Sequence, residues 1–235
     1  MLGQFFEFSL AARPVAQSFE FYAALGLGSI SVGDAPHAPA AAFYDGAVTL
    51  GIHDADPTDP LLTFVRPQLK DHVRGLRRLG VEVEHAKLAD DGFHEVRFTD
   101  PDGQTIRLLE ARTFSPGTWD ERNVTACGVF LEYSISSQSI KQSRAFWEPL
   151  GFAPVAAGDA PHSWLRLAGR GLTLGLHEAR FRSGLCFRAP NVSARSEYLK
   201  AKGVAVRAAS PLAAAQPSAT LVAPEGTALY LLEES

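Results

Sequence analysis

Two short spacings recur in this sequence, and each carries an ionisable side chain. Phe-x-Glu-x-Ser occurs as Phe5, Glu7, Ser9 and again as Phe130, Glu132, Ser134. Thr-x-Gly-x-His occurs as Thr49, Gly51, His53 and again as Thr173, Gly175, His177. A glutamate beside a histidine can move a proton, because imidazole titrates near neutrality and a carboxylate can orient it. The same two side chains can donate electron pairs to a divalent cation, although two ligands seldom hold one tightly. Residues two apart share one face of a strand, so Glu7 points with Ser9 and Gly51 with His53. Other catalytic signatures are missing: there is no Gly-rich phosphate loop, no GxSxG and no HExxH. Cys186 has no base or cation in its pattern and reads as an inert buried thiol. His72, His85 and His94 have no partner pattern and are assigned no role.

Both spacings sit inside a longer self-similarity. Residues 5–27 (FFEFSLAARPVAQSFEFYAALGL) match residues 130–152 (FLEYSISSQSIKQSRAFWEPLGF). The pentapeptide GDAPH occurs at Gly33–His37 and at Gly158–His162, where His37 and His162 read as rim residues. VTLGIHD at 48–54 returns as LTLGLHE at 172–178, and DPDGQTIRLLE at 100–110 returns as APEGTALYLLE at 223–233. Blocks that keep their order through single-residue deletions mark a duplication. The reading is two domains, 1–112 and 127–235, joined by a polar linker at 113–126 that contains Pro and Gly and lacks periodicity.

Composition narrows the function classes. The 235 residues carry 22 Lys plus Arg against 26 Asp plus Glu, a net charge of −4 with no block of like charge. That balance argues against a nucleic-acid partner, which would need a basic face. No apolar run approaches the ~20 residues that span a bilayer, and the first residues lack the positive stretch of a secretion signal. Two cysteines, Cys127 and Cys186, make no disulfide framework. The expectation is a cytoplasmic protein without a membrane or nucleic-acid partner.

Positioning the chemical residues requires strands and helices in a fixed order. Residues 4–10 alternate as a strand, and Val15, Phe19, Tyr22 and Leu25 give 13–25 a helical spacing that Gly26 stops. Strands are expected at 27–32, 39–44 and 47–53. The stretch 61–110 repeats the order: a strand at 61–66, a helix over 68–79, then strands near 81–85, 93–98 and 104–110. Asp100-Pro101-Asp102-Gly103 supplies the last turn. The pattern is βαβββ twice per domain and four times per chain, an α+β fold with open curved mixed sheets.

The helix ending S-x-x-F-[YW]-x-x-L-G-[LF], at Ser18–Leu27 and Ser143–Phe152, and the closing stretch DPDGQTIRLLE make the chain resemble the vicinal oxygen chelate superfamily. Its members include glyoxalase I, bleomycin-resistance proteins, fosfomycin-resistance enzymes, methylmalonyl-CoA epimerase and extradiol dioxygenases. The resemblance covers nearly the whole chain outside the linker. It implies that paired modules curve into an incomplete barrel with a concave pocket, and that the first and fourth strands are parallel neighbours. It also implies four metal-facing positions per domain. These fall on Glu7, Gly51, Leu61 and Arg107, and on Glu132, Gly175, Gly184 and Tyr230. Glycine and leucine offer no side-chain donor, and arginine stays protonated. No metal and no other cofactor is therefore expected at the standard site. Isomerisation or ring cleavage through a bound cation is not expected either.

With those positions marking the concave side, the expected ligand-binding set is Phe5, Glu7, Ser9, His53, Thr63 and Arg107 in the first domain. In the second it is Phe130, Glu132, Ser134, His177 and Tyr230. Arg107 is the natural counter-ion for a buried Glu7, as a fixed ion pair or as the holder of an anionic ligand. No cation is evident for Glu132, which leaves Tyr230 or His177 as its partner. Gly51 and Gly175 read as room for a ligand or as strand bends. Trp164 and Phe43 line the pocket or pack. The leading reading is a metal-free binder of a small aromatic or anionic molecule, monomeric or homodimeric. One alternative is a divalent-metal-dependent enzyme of the superfamily, a lyase, isomerase or dioxygenase, with Glu7, His53, Glu132 and His177 as catalytic candidates. The other is an interaction protein whose pockets are filled by its own side chains.

Overall fold

The computed structural model describes residues 1–31, 38–56, 58–89, 93–111, 125–213 and 216–234. Most of the linker expected at 113–126, and His37, lie outside them. The first module runs β1 (Gln4–Ala12), α1 (Val15–Ala24), β2 (Gly28–Ile30), β3 (Ala41–Tyr44) and β4 (Thr49–Asp54). The second runs β5 (Leu61–Arg66), α2 (Leu69–Arg78), β6 (Val83–Lys87), β7 (Glu95–Thr99) and β8 (Thr105–Glu110). The third is β9 (Val129–Ser136), α3 (Ile140–Trp147), β10 (Ala153–Gly158), β11 (Trp164–Ala168) and β12 (Thr173–His177). The fourth is β13 (Gly184–Ala189), α4 (Val192–Ala201), β14 (Val206–Ala208), β15 (Ser218–Val222) and β16 (Ala228–Glu233). The βαβββ order is the one the sequence indicates, four times over.

Each half builds one eight-stranded sheet, in the order β2-β3-β4-β1-β5-β8-β7-β6 and β10-β11-β12-β9-β13-β16-β15-β14. The first and fourth strands of a module are parallel neighbours, and the two modules meet antiparallel at β1–β5 and β9–β13. Helix α1 packs on β3 and β4, α2 on β6, β7 and β8, α3 on β12, and α4 on β14, β15 and β16. The closing glutamates of the repeat have a local task in this arrangement. Glu110 accepts the Leu69 amide at the start of α2 (3.3 Å), and Glu233 accepts the Val192 amide at the start of α4 (2.8 Å). Each satisfies a backbone donor that a helix cannot bond internally.

The apolar faces of both sheets merge into a single core. At its centre Phe8 stacks on Tyr133, with ring centroids 5.2 Å apart. Tyr22 and Trp147, the matching aromatics of the repeated helix motif, are both fully buried. The closing turn of each half docks on the first helix of the other. Glu225 accepts from Ser18 Oγ and from the Tyr22 hydroxyl, both at 2.6 Å. Reciprocally, Asp102 accepts from Ser143 Oγ, and Asp100 accepts from Trp147 Nε1 at 3.1 Å. The recurrent Ser and aromatic of the helix motif are thus interdomain donors, and the acidic turn supplies their acceptors.

One register feature departs from strict alternation. The β1–β5 pairing shifts between Phe5 and Glu7, and the β9–β13 pairing shifts at the matching place, between Cys186 and Phe187. A β-bulge of this kind turns the preceding side chain to the other face. Phe5 therefore packs in the core, 4.9 Å from Phe8 and 5.3 Å from Phe64. Phe130 lies 5.9 Å from Phe8 and 5.8 Å from Phe187. Both phenylalanines were expected on the concave side with Glu7 and Glu132, and the bulge corrects that placement.

Candidate functional site

In the first domain Glu7 pairs across the sheet with Thr63, and Thr63 with Arg107, so three neighbouring strands present one row to the concave face. Ser9 stands opposite Gly51, and His53 lies two residues further along β4. Three polar side chains, Ser9, His53 and Arg107, close on the Glu7 carboxylate. Ser9 Oγ donates to Glu7 Oε1 at 2.6 Å, and His53 Nε2 lies 2.8 Å from the same oxygen. Arg107 Nη2 lies 3.4 Å from it and donates to Ser9 Oγ at 2.8 Å. Arg107 Nε donates to Thr63 Oγ1 at 3.1 Å, and Thr63 Oγ1 lies 2.7 Å from Ser9 Oγ. Glu7 and Arg107 are both buried, whereas the His53 side chain keeps 20% of its exposure. The guanidinium is largely committed to protein oxygens, so Glu7–Arg107 is a fixed, hydrogen-bonded ion pair. Beyond it the same face carries Arg97, paired in register with Arg107, and His85, paired with Arg97.

The second domain repeats the carboxylate and imidazole and brings its cation from elsewhere. His177 Nε2 lies 2.6 Å from Glu132 Oε1, and Ser134 Oγ donates to that oxygen at 3.0 Å. Arg166 Nε donates to Glu132 Oε2 at 2.6 Å. Arg166 is on β11 opposite Gly175, where the first domain has Ala42 opposite Gly51. Arg166 corrects the expectation that Glu132 lacks a cation, because it comes from β11, a strand that bears none of the four family positions. The available signal was Trp164, two residues before Arg166 on one strand face. Burial pushes the Glu132 carboxyl up, but His177 and Arg166 together outweigh it and hold it below its ordinary range. Tyr230, expected to reach Glu132, instead donates its hydroxyl to the Arg182 carbonyl at 2.6 Å.

Side chains of the domain itself occupy this second cup. His162 Nε2 lies 3.0 Å from His177 Nδ1, and Phe181 packs 5.8 Å from both His177 and Tyr230. Cys186, Leu212 and Tyr230 form a small apolar cluster beneath. Burial raises the Cys186 thiol well above its ordinary value, which leaves it protonated and unreactive. Trp164 lies under the Arg166 guanidinium, 5.3 Å from ring centroid to carbon. Phe43 is in the core, 5.0 Å from Phe19. His94 bonds Glu110, and His72 is kept neutral by burial and by Arg66, with its value lowered to about 4.

The two glycines have a different reason from those expected. A methyl group on Gly51 would overlap the Glu7 carboxylate, with Cδ only 2.6 Å away. One on Gly175 would overlap Glu132 and come within 2.7 Å of His177 Nε2. Each glycine seats the glutamate of the next strand, so the space is filled by the protein itself.

Solved structures with this fold are numerous. The 2,3-dioxygenase LapB from Pseudomonas sp. KL28 superposes with a TM-score of 0.64 over 100% of this chain and 94% of its own, at 15% identity. Homoprotocatechuate 2,3-dioxygenase from Arthrobacter globiformis gives 0.65 over 99% and 80%, at 14% identity. The Mn(II)-bound glyoxalase from Novosphingobium aromaticivorans gives 0.63 over 99% and 82%, at 16% identity. The chain has the vicinal oxygen chelate fold. No family model and no curated protein matches its sequence.

The side chains of this vicinal oxygen chelate fold do not fit a divalent cation at the four positions of either domain. Glu7 Oε1 already receives Ser9, His53 and Arg107, and the last position holds a permanent positive charge. Glu132 is likewise engaged on both oxygens. Among the described residues, no three His, Cys, Asp or Glu side chains converge in a way that could hold a metal ion. A cation entering the first cup would have to displace the buried Arg107 from the buried Glu7, at a cost on the order of 3–5 kcal/mol.

Proposed function

We propose that the protein binds a small planar molecule bearing an acidic or carbonyl oxygen on the concave face of its first domain, without a bound cation. The observation that supports this reading is Arg107, whose guanidinium stands at one of the four positions and neutralises Glu7. The Glu7–Ser9–Thr63–Arg107 network forms a rigid polar floor. His53, a fifth exposed, offers its second ring nitrogen above it, and the half-exposed Arg97, whose Nε is held by Glu95, offers its remaining N–H groups. Tyr44, on the same side of β3 as Ala42, supplies a ring at the rim. A concave site with a few fixed polar anchors is the usual setting for small-ligand recognition.

The second domain supports a different role. Its cup is occupied by His162, Phe181 and Leu212 and acts as scaffold for the first domain. The test combines elemental analysis of the purified chain with a thermal-shift screen of planar aromatic acids and dicarbonyls. A ligand that binds only the native state raises Tm by mass action. The expected result is a shift in the wild type that His53→Ala and Arg97→Met abolish, with no stoichiometric divalent ion. One-to-one Zn, Ni, Fe or Mn, or an undiminished shift in both variants, overturns the reading.

A further inference from the structure

Beside the second cup, with which it shares Phe181, a cavity of about 840 Å3 opens between the domains where β9 and β12 end. Its walls come from the segment entering α3, from the stretch Glu178–Ser183 after β12, and from Asp59 and Asp102 of the first domain. The duplication supplies a matching corner in the first domain, built on an exposed ion-pair cluster. There Arg13 leaves β1 and binds Asp54 Oδ1 at 2.9 Å and Asp56 Oδ1 at 3.1 Å. The repeat sets Gln138 against Arg13, Glu178 against Asp54 and Arg180 against Asp56. At the repeat positions the arginine has become a neutral amide, and one of its carboxylate partners has become a cation.

The acidic groups in the wall are already held by the protein. Asp59 is bound by Arg182 at 2.9 Å, Glu178 by the Ile140 amide at 3.1 Å, and Asp102 by the Gln138 amide at 3.0 Å. Arg180 is exposed and, among the described residues, has no hydrogen-bond or ion-pair partner. Ser183 Oγ accepts the Ser136 amide and keeps its own proton to donate. An unpaired guanidinium, a free carboxamide and a hydroxyl thus face one polar cavity of ligand size.

We propose that this corner is a binding site for a small hydroxylated carboxylate. Its carboxylate pairs with Arg180, and its hydroxyls meet Gln138 and Ser183. The proposal is independent of the cup described above. It is tested by calorimetric titration of the full chain at low salt with sodium gluconate, glycerate and tartrate, and with sorbitol as the uncharged control. Saturable binding of at least one acid, and none of sorbitol, is expected. Arg180→Asp, which restores the charge of the first-domain corner, should weaken it by about tenfold or more, the usual worth of a charge-assisted hydrogen bond. The double variant Gln138→Arg, Arg180→Asp installs the first-domain charges in place of two of the proposed anchors and should abolish binding, while His53→Ala leaves it unchanged. These side chains lie at the surface, and an unaltered Tm confirms that each variant is folded. Absence of heat with all three acids, equal binding of sorbitol, or unchanged affinity in Arg180→Asp overturns the proposal.

Discussion

Replacing Gly51 by alanine tests the first cup most directly. The added methyl would occupy space held by the Glu7 carboxylate, whose Cδ is 2.6 Å and whose Oε1 is 2.8 Å from the new atom. The carboxylate ends a flexible chain and would swing aside. It would then leave Ser9 at 2.6 Å, His53 at 2.8 Å and Arg107 at 3.4 Å, with Arg107 buried and parted from the carboxylate it is bonded to. Breaking a buried ion pair from one side costs about 3–5 kcal/mol. Because the carboxylate recovers some hydration, about 3 kcal/mol is expected, or a Tm lower by roughly 6–12 °C in a chain of this size. Urea denaturation of Gly51→Ala, Glu7→Ala and the double variant separates the cause. With the carboxylate gone the methyl has room, so in the Glu7→Ala background Gly51→Ala should cost under about 1 kcal/mol, a coupling of about 2 kcal/mol or more. Equal costs in both backgrounds would refute the seating argument and return the glycine to a backbone role.

Arg166→Met should destabilise the chain by about 2–4 kcal/mol, since Glu132 keeps only His177 and Ser134. It should also move the acid limb of the stability–pH profile upward. Glu132 titrates below its ordinary value, so its stabilisation is present at neutral pH and is lost as pH falls through the folded value. Losing Arg166 raises that value, and denaturation midpoints measured across pH report the move. Asp100 behaves oppositely. Burial pushes its carboxyl up to about 6, so the native state holds a proton that the unfolded chain releases near the ordinary 3.8. Stability should fall by about 3 kcal/mol as pH rises from about 4 to about 6, and Asp100→Asn should remove that segment of the profile. Glu225→Ala should cost about 2–4 kcal/mol, because it strands the buried Tyr22 hydroxyl and Ser18 together. The corresponding single change Ser18→Ala should cost under about half as much, as urea midpoints would reveal.

The frame was legible because its evidence is repeated. Helical spacing at Val15, Phe19, Tyr22 and Leu25, the stop at Gly26 and four strand runs per module recur in one order. A two-residue spacing likewise put Glu7 with Ser9, and Glu132 with Ser134. Arg107 is legible as the partner of Glu7 because it lies on a strand the repeat already singles out. Three features were hidden for physical reasons. The bulge that turns Phe5 and Phe130 inward is a property of strand pairing, which local alternation does not encode. Arg166 reaches Glu132 across two strands, so its role exists only after β11, β12 and β9 are set side by side. Gly51 and Gly175 take their meaning from a glutamate on the adjacent strand, at a distance no spacing rule measures.

The reciprocal docking of acidic turn on helix has an evolutionary corollary. A single ancestral half would carry both the donor helix and the acceptor turn, so two identical copies could complete each other through a two-fold rotation. Tethering them makes that encounter intramolecular and independent of concentration. Selection then acts on each half separately. The contact has already drifted in detail, with Tyr22 answered by Trp147 and Asp102 by Glu225, while the mutual clasp persists. One half can lose its cavity without consequence for folding, provided its turn still closes over its sibling's helix.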